Sequence, residues 1–305
     1  MSTAAGLAAL AGGIALVVWA ADLLVDGLLG VGRALGVAPF VLTVALSGFE
    51  TENLAAGIAA NAKGLPGAAA GTFLGGVTFL ALGVAGLGGV IAPMRAALPP
   101  RFAVWTAVAP LPLLAFGLDG RLSRVDGAVL VAWSVVALIG LARTGRRLLA
   151  DESDERVRRP GVRLLAGLAI LSGGGWLLGE GLRSTVRHVG ISPTLLGNTA
   201  VAASVEAEEV ARVGVPARRG RPELALGTIG GTIVHFAALN AGITALVKPL
   251  ALGSDTTHFY LPVAAASPAI LAALLLARKQ LGRIEGASLM VLYVSYVVVA
   301  ITIST

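Results

Sequence analysis

The chain has 305 residues, of which 56% are hydrophobic and only 13% charged, and it contains no cysteine. A soluble domain carries about 25% charged residues, so a water-soluble globular protein is excluded, as are disulfides and thiolate metal centres. The formal net charge of +6 sits in short loops between apolar runs, where it reads as a topology signal rather than a nucleic-acid surface.

The apolar runs predict ten spans, at 4–32, 38–62, 66–92, 102–118, 125–148, 162–187, 192–214, 222–250, 258–279 and 284–304. Each is long enough to cross about 30 Å of hydrocarbon. The first run, Ala4 to Ala20, has no basic segment ahead of it and is read as a retained helix rather than a signal peptide. Pro99-Pro100 and Asp119-Gly120 punctuate the first half, and the charged run Asp151–Arg159 separates the halves. The expected organisation is a five-helix repeat over 1–150 with an ion-binding hairpin at 38–92, a linker at 151–161, and a second five-helix repeat over 162–305 with its hairpin at 192–250. Two related halves with an odd number of spans must insert in opposite orientations, as in many secondary transporters. The fold class is therefore all-α: a polytopic membrane protein of ten transmembrane helices in two inverted five-helix repeats.

The repeat is legible residue by residue. Gly36-Val37-Ala38-Pro39 matches Gly190-Ile191-Ser192-Pro193, and Asp26-Gly27 matches Glu180-Gly181, at an offset of 154. From Thr43 and Thr199 onward the offset is 156, pairing Glu50 with Glu206, Glu52 with Glu208, Asn53 with Glu209, Lys63-Gly64 with Arg219-Gly220 and Gly71-Thr72 with Gly227-Thr228. Loops holding Arg33, Arg95, Arg101, the Arg143–Arg163 group, Arg212, Arg218, Arg219, Arg221, Arg278, Lys279 and Arg283 alternate with loops that hold only Lys63, Arg121, Arg124, Arg183, Arg187 and Lys248. The basic side is expected to be cytoplasmic. That places both termini outside and the linker inside a membrane expected to be a prokaryotic plasma membrane.

Two acidic stretches stand out, Ser47 to Asn53 and Ser204 to Glu209, each in an apolar setting. Carboxylates are costly at membrane depth and point by default to a cation pathway. Five carboxylates in a low-dielectric site repel one another and raise one another's pKa, so bound cations or protons are expected to neutralise them in turn. Cation and proton, or cation and sodium, then compete for the same oxygens.

A helix carrying Ala21-Asp22-Leu23-Leu24-Val25-Asp26-Gly27, a Gly-Val-x-Pro turn, an acid-bearing segment and a closing Gly-x-x-x-Gly hairpin resembles the cation/calcium exchanger superfamily. The resemblance covers about residues 15–80 and 170–240. It implies a secondary cation antiporter working by alternating access, exchanging calcium or another divalent cation for sodium or protons. That family carries Gly-Thr-Ser-x-Pro-Glu after each Gly-Val-x-Pro, with the Glu coordinating the cation. Its Gly falls here on Gly48 and Ser204, its Ser on Glu50 and Glu206, its Pro on Glu52 and Glu208, and its Glu on Asn53 and Glu209. One family Glu is therefore Asn, and four further positions have become acidic.

On an unbroken helix Glu206 and Glu209 share a face, as do Glu50 and Asn53, while Glu208 stands four residues before Arg212 and can pair with it. The expected cation and metal ligands are Glu50, Asn53, Glu206 and Glu209, followed by Glu52, Glu208, Thr72 and Thr228. His235, Asp26 and Glu180 are candidates for proton relay, with packing or salt bridging as the competing reading for each. Gly71, Gly75, Gly227, Gly230 and Gly231 are read as close helix-packing positions.

No His-Glu-x-x-His, Gly-x-Ser-x-Gly or cysteine supports an enzyme, and the chain has three histidines. The expected partners are inorganic cations and the lipid bilayer, with no nucleic acid, no cofactor and a monomer sufficient for function. A sodium/proton antiporter on the same fold is the alternative, with an ion channel or intramembrane enzyme further off.

Overall fold

The computed structural model describes residues 3–48, 51–95, 99–145, 157–187 and 202–304, and these are almost wholly helical. They form two compact units, one of residues 1–39 and 149–221, the other of residues 40–148 and 222–305.

The first unit is built on α1 (Thr3–Leu35) and α9 (Pro160–Arg187), the opening helices of the two sequence halves. They run antiparallel through glycines. A Cβ on Gly13 would come 2.7 Å from the Leu178 side chain, and one on Gly167 would come 2.8 Å from the backbone of Leu24. Likewise a Cβ on Gly27 would meet Leu164 at 2.5 Å, and one on Gly181 would meet Leu10 at 2.7 Å. Gly13 and Gly167 are repeat equivalents, and so are Gly27 and Gly181, at the same offset of 154. Each contact thus occurs twice, as in a self-complementary pairing about a two-fold axis. With no side chain at these positions the backbones approach closely, the favoured way to pack helices in lipid. The α10 helix (Ala202–Arg218) completes this unit.

In the second unit, α2 (Pro39–Leu46) and α3 (Thr51–Ala62) are followed by a long helix made of α4 (Pro66–Thr78), a π-helical turn (Phe79–Val84) and α5 (Ala85–Ile91). The other half repeats this as α11 (Pro222–Val234), a π-helical turn (His235–Asn240) and α12 (Ala241–Val247). All six boundaries are displaced by 156 residues, so the extra residue of the π turn sits at the same place in both. Such turns recur at functional sites.

The turns that precede these helices also match. Gly64 and Gly220 hold φ of +77° and +71°. The amides of Leu65 and Arg221 donate to the carbonyls five residues back, on Ala60 and Pro216, at 2.9 and 2.8 Å. This is a Schellman stop, which needs a left-handed residue and so takes glycine. The unit is completed by α6 (Pro100–Val108), α7 (Leu111–Gly117), α8 (Arg124–Thr144), α13 (Leu261–Arg278), α14 (Arg283–Ser304) and a two-residue ribbon, β1 (Arg121–Leu122) with β2 (Leu250–Ala251).

Among the described residues, seven helices are long and apolar enough to cross a membrane, where ten spans were expected from the sequence. The expected span 38–62 is divided, with Ser47 and Gly48 in a turn between α2 and α3. The expected span 102–118 breaks at Ala109-Pro110, where proline removes an amide donor and the Trp133 indole donates to the Ala109 carbonyl at 3.0 Å. Of the expected span 192–214, residues 192–201 lie outside the described residues.

Candidate functional site

In the second unit the first acidic stretch lies where α2 stops. The Ser47 amide donates to Thr43 O at 2.8 Å and the Ser47 hydroxyl to Val44 O at 3.2 Å, closing the last turn. Glu50 lies outside the described residues, as does the Glu52 side chain, and Asn53 is half-buried in the first turn of α3.

The break is seated on α11 and the π turn after it. Thr232 donates its hydroxyl to Ser47 O at 3.0 Å. A Cβ on Gly231 would stand 2.7 Å from Val44 O, and one on Gly48 would overlap the ring of His235. Two glycines therefore let the end of α2 and the helix that carries Gly231 and His235 meet where a side chain would hold them apart.

His235 is buried, and its Nδ1 lies 2.8 Å from Gly231 O. A carbonyl only accepts, so Nδ1 carries the hydrogen and Nε2 is the nitrogen left for proton exchange. The sequence predicted either a relay or a packing histidine. The structure adds contact with the backbone of Gly48, two residues before Glu50.

Thr72 is half-buried and donates to Ala69 O at 2.8 Å. A Cβ on Gly57, one turn beyond Asn53, would come 2.8 Å from the Thr72 hydroxyl oxygen and 3.4 Å from that of Thr244. Thr244 is buried and its hydroxyl has no hydrogen-bond partner among the described residues. Sequence reasoning missed it, because its repeat equivalent is Gly88, which offers no oxygen to match. Thr228 is buried on α11.

In the first unit the second acidic stretch lies on α10, which is helical from Ala202 onward, with the Glu206 side chain outside the described residues. Glu208, Glu209 and Arg212 are all buried, none more than 4% exposed. Arg212 Nη2 stands 2.6 Å from Glu208 Oε1, and its Nη1 3.0 Å from Glu209 Oε1. The Glu208–Arg212 pair is the one the sequence spacing offered. The separation of Glu209 from that pair is not found, because the guanidinium fork is wide enough to take residues three and four positions back together.

Asp26 is held by Arg163 at 2.5 Å and by Arg219 at 2.7 Å, with Asp22 3.6 Å from Arg219. For Asp26 the structure shows salt bridging, to partners from distant sequence. Glu180 is half-buried on α9. Among the described residues no three His, Asp or Glu side chains gather as a metal centre, a set that contains neither Glu50 nor the side chains of Glu52 and Glu206.

The sequence pattern described as sodium/calcium exchanger protein matches this chain over residues 5–142 and 161–302. The chain belongs to the sodium/calcium exchanger family. It is a membrane transporter of the cation-antiporter kind, not an enzyme. Among relatives, it is 26% identical to Putative antiporter CaxA of Alkalimonas amylolytica, over 93% of this chain and 95% of that protein. It is 26% identical to the inner membrane protein YrbG of Escherichia coli K12, over 78% of each. It is 32% identical to the sodium/calcium exchanger MaX1 of Methanosarcina acetivorans over 36% of this chain and 32% of that one. Its fold matches the sodium-calcium exchanger NCX_Mj, soaked with 100 mM Na+ and 10 mM Sr2+, with a TM-score of 0.83 and 21% identity over 97% of this chain and 98% of that one. For this exchanger-family chain the likeness carries the architecture, and the identity of the ligands has to come from its own residues.

Proposed function

We propose that this protein exchanges calcium or another divalent cation for sodium or protons by alternating access, with the two acidic stretches supplying the oxygen ligands. The observation that carries the reading is the pair of carboxylate-rich segments in an exchanger-family chain, one of them at a helix break. Unwound backbone at membrane depth is tolerated where it lines a cavity, and in transporters such breaks present carbonyls to sodium or protons. Glu50, Asn53, Glu206 and Glu209 are the principal ligands on this reading, with Glu52, Glu208, Thr72 and Thr228 as further oxygens. Entering cations and departing sodium or protons share these groups, which makes the exchange obligatory. Both termini lie outside and the 151–161 linker lies in the cytoplasm.

The test is flux in proteoliposomes under imposed sodium or proton gradients, with a panel of divalent and monovalent cations, for wild type and for Glu50→Gln and Glu209→Gln. Wild type is expected to move a divalent cation against either gradient, and both variants to lose at least tenfold in rate. Two variants that transport like wild type would remove the site assignment. Transport that depends on pH and ignores external calcium would instead make this a sodium/proton antiporter.

A further inference from the structure

Thr244 carries a hydroxyl that the fold leaves unused. It is 1% exposed, and its Oγ1 has no hydrogen-bond partner among the described residues. A buried hydroxyl in a helix commonly donates back to the carbonyl three or four residues earlier. Thr78, Thr106 and Ser267 do so, at 3.0, 3.0 and 2.7 Å to Leu74 O, Phe102 O and Val263 O. Thr244 forgoes that bond, and a hydroxyl buried without a partner costs stability. What it faces instead is Gly57. The three heavy atoms nearest a Cβ on Gly57 are all oxygens: Thr72 Oγ1 at 2.8 Å, Thr244 Oγ1 at 3.4 Å and Ala69 O at 3.9 Å. The Thr72 hydrogen is directed at Ala69 O, so Thr72 Oγ1 has lone pairs left to offer.

These oxygens belong to a polar seam. Asn53, Gly57 and Asn61 follow one another at four-residue spacing along one face of α3, and Thr244 and Lys248 do the same at the end of α12. One turn beyond Thr244 the seam is clasped: Asn61 Nδ2 donates to Lys248 O at 2.6 Å, and Lys248 Nζ donates to Asn61 O at 3.0 Å. Asn61 is buried in that clasp, and the seam runs the other way to Asn53 in the first acidic stretch.

We propose that Thr244, together with Thr72, holds a sodium ion beside Gly57, one helical turn from Asn53. Two hydroxyls and a carbonyl are neutral oxygens, which suit a singly charged ion held by few ligands; calcium takes six to eight oxygens, carboxylates among them. Glycine at 57 keeps the place free, because a Cβ there would press on Thr72 Oγ1 and stand against Thr244 Oγ1. A sodium ion also gives the Thr244 oxygen the partner that the protein withholds. The inference rests on the antiport reading, which already counts Thr72 among the oxygens, but its test reads sodium binding and needs no flux.

Sodium binding is read from the thermal stability of the detergent-solubilised full chain, with sodium chloride exchanged for choline chloride at constant ionic strength. A ligand of the folded state raises stability with its concentration, and wild type is expected to gain stability as sodium rises. Thr244→Val keeps the shape and removes the hydroxyl. It is expected to be at least as stable as wild type in choline, and to need more sodium for the half-maximal gain by about fivefold or greater, the scale of one lost polar contact. Thr244→Ser should stay within about twofold of wild type. Gly57→Ala leaves every oxygen in the chain and is expected to weaken sodium binding in the same direction as Thr244→Val. Thr244→Ala decides if Thr244→Val is not recovered folded. The proposal is overturned if wild type shows no sodium response, if Thr244→Val or Gly57→Ala responds to sodium as wild type does, or if Thr244→Ser behaves like Thr244→Val. A hydroxyl with a packing role only would shift stability equally in both salts, which also overturns it. A wild type that moves no divalent cation in proteoliposomes would sink the antiport reading and leave this comparison standing.

Discussion

Gly48→Ala isolates the contact that seats the broken helix. A Cβ at this position would overlap not only the imidazole but the Cβ and Cγ of His235. Rotating the ring cannot relieve an overlap with the atoms nearest the backbone, and the ring is further held by its Nδ1 hydrogen bond to Gly231 O. The chain must therefore move, and overpacking of this kind costs about 1–3 kcal/mol. The opposing term is helix propensity, worth up to about 1 kcal/mol for Gly→Ala inside a helix. Gly48 sits in a turn, so little of that gain is realised and steric cost wins. Gly48→Ala should lower stability by about 1–3 kcal/mol in SDS titrations of mixed micelles, and should depress transport by moving the segment that leads to Glu50. Only His235→Gly removes the obstructing Cβ, so the cycle uses Gly48→Ala, His235→Gly and the double variant. The double is expected to be more stable than the sum of the singles by at least about 1 kcal/mol, as for residues in contact. Additive losses, or a Gly48→Ala protein as stable and active as wild type, would refute the packing argument.

Two further outcomes follow from the fold. Gly27→Ala and Gly181→Ala each put a Cβ within 2.7 Å of backbone on the opposite helix, so each should cost about 1–3 kcal/mol. Because the two contacts are symmetry equivalents, the losses should agree within about 0.5 kcal/mol; a loss confined to one would show that the α1–α9 pairing is not self-complementary. The chain has no native cysteine, so single cysteines report orientation cleanly. Asp119→Cys is expected to react with an impermeant maleimide in intact cells, and Arg158→Cys only after permeabilisation. The reverse pattern would invert the assigned topology.

Much of the architecture was legible in the sequence because glycine, proline and charge mark it directly. Gly64 and Gly220 announced matched turns, and the offset of 156 that aligned them also aligns two π turns that no sequence pattern disclosed. A π turn adds one residue to a helix, a shift too small for a hydrophobic period to register. The break after Leu46 falls at Ser47-Gly48, inside a span expected to run undivided from 38 to 62. Its seating on Gly231, Thr232 and His235 was hidden because those residues are 184 or more positions away. Arg212 was visible as a partner of Glu208. That it also takes Glu209 depends on rotamers that spacing does not determine.

The symmetry of the scaffold and the asymmetry of the ligands have different consequences. The Schellman stops, the α–π–α helices and the glycine contacts of α1 and α9 are duplicated at fixed offsets. On the alternating-access reading, such duplication gives each half an equivalent partner and makes the exchange of roles between halves a move between similar packings. The acidic stretches do not follow that symmetry. One starts where α2 ends and carries Asn53, while the other lies on α10 with Glu209 and the arginine that binds it. Backbone oxygens exposed by a break suit weakly charged cargo, whereas carboxylates favour higher charge until a fixed cation offsets them.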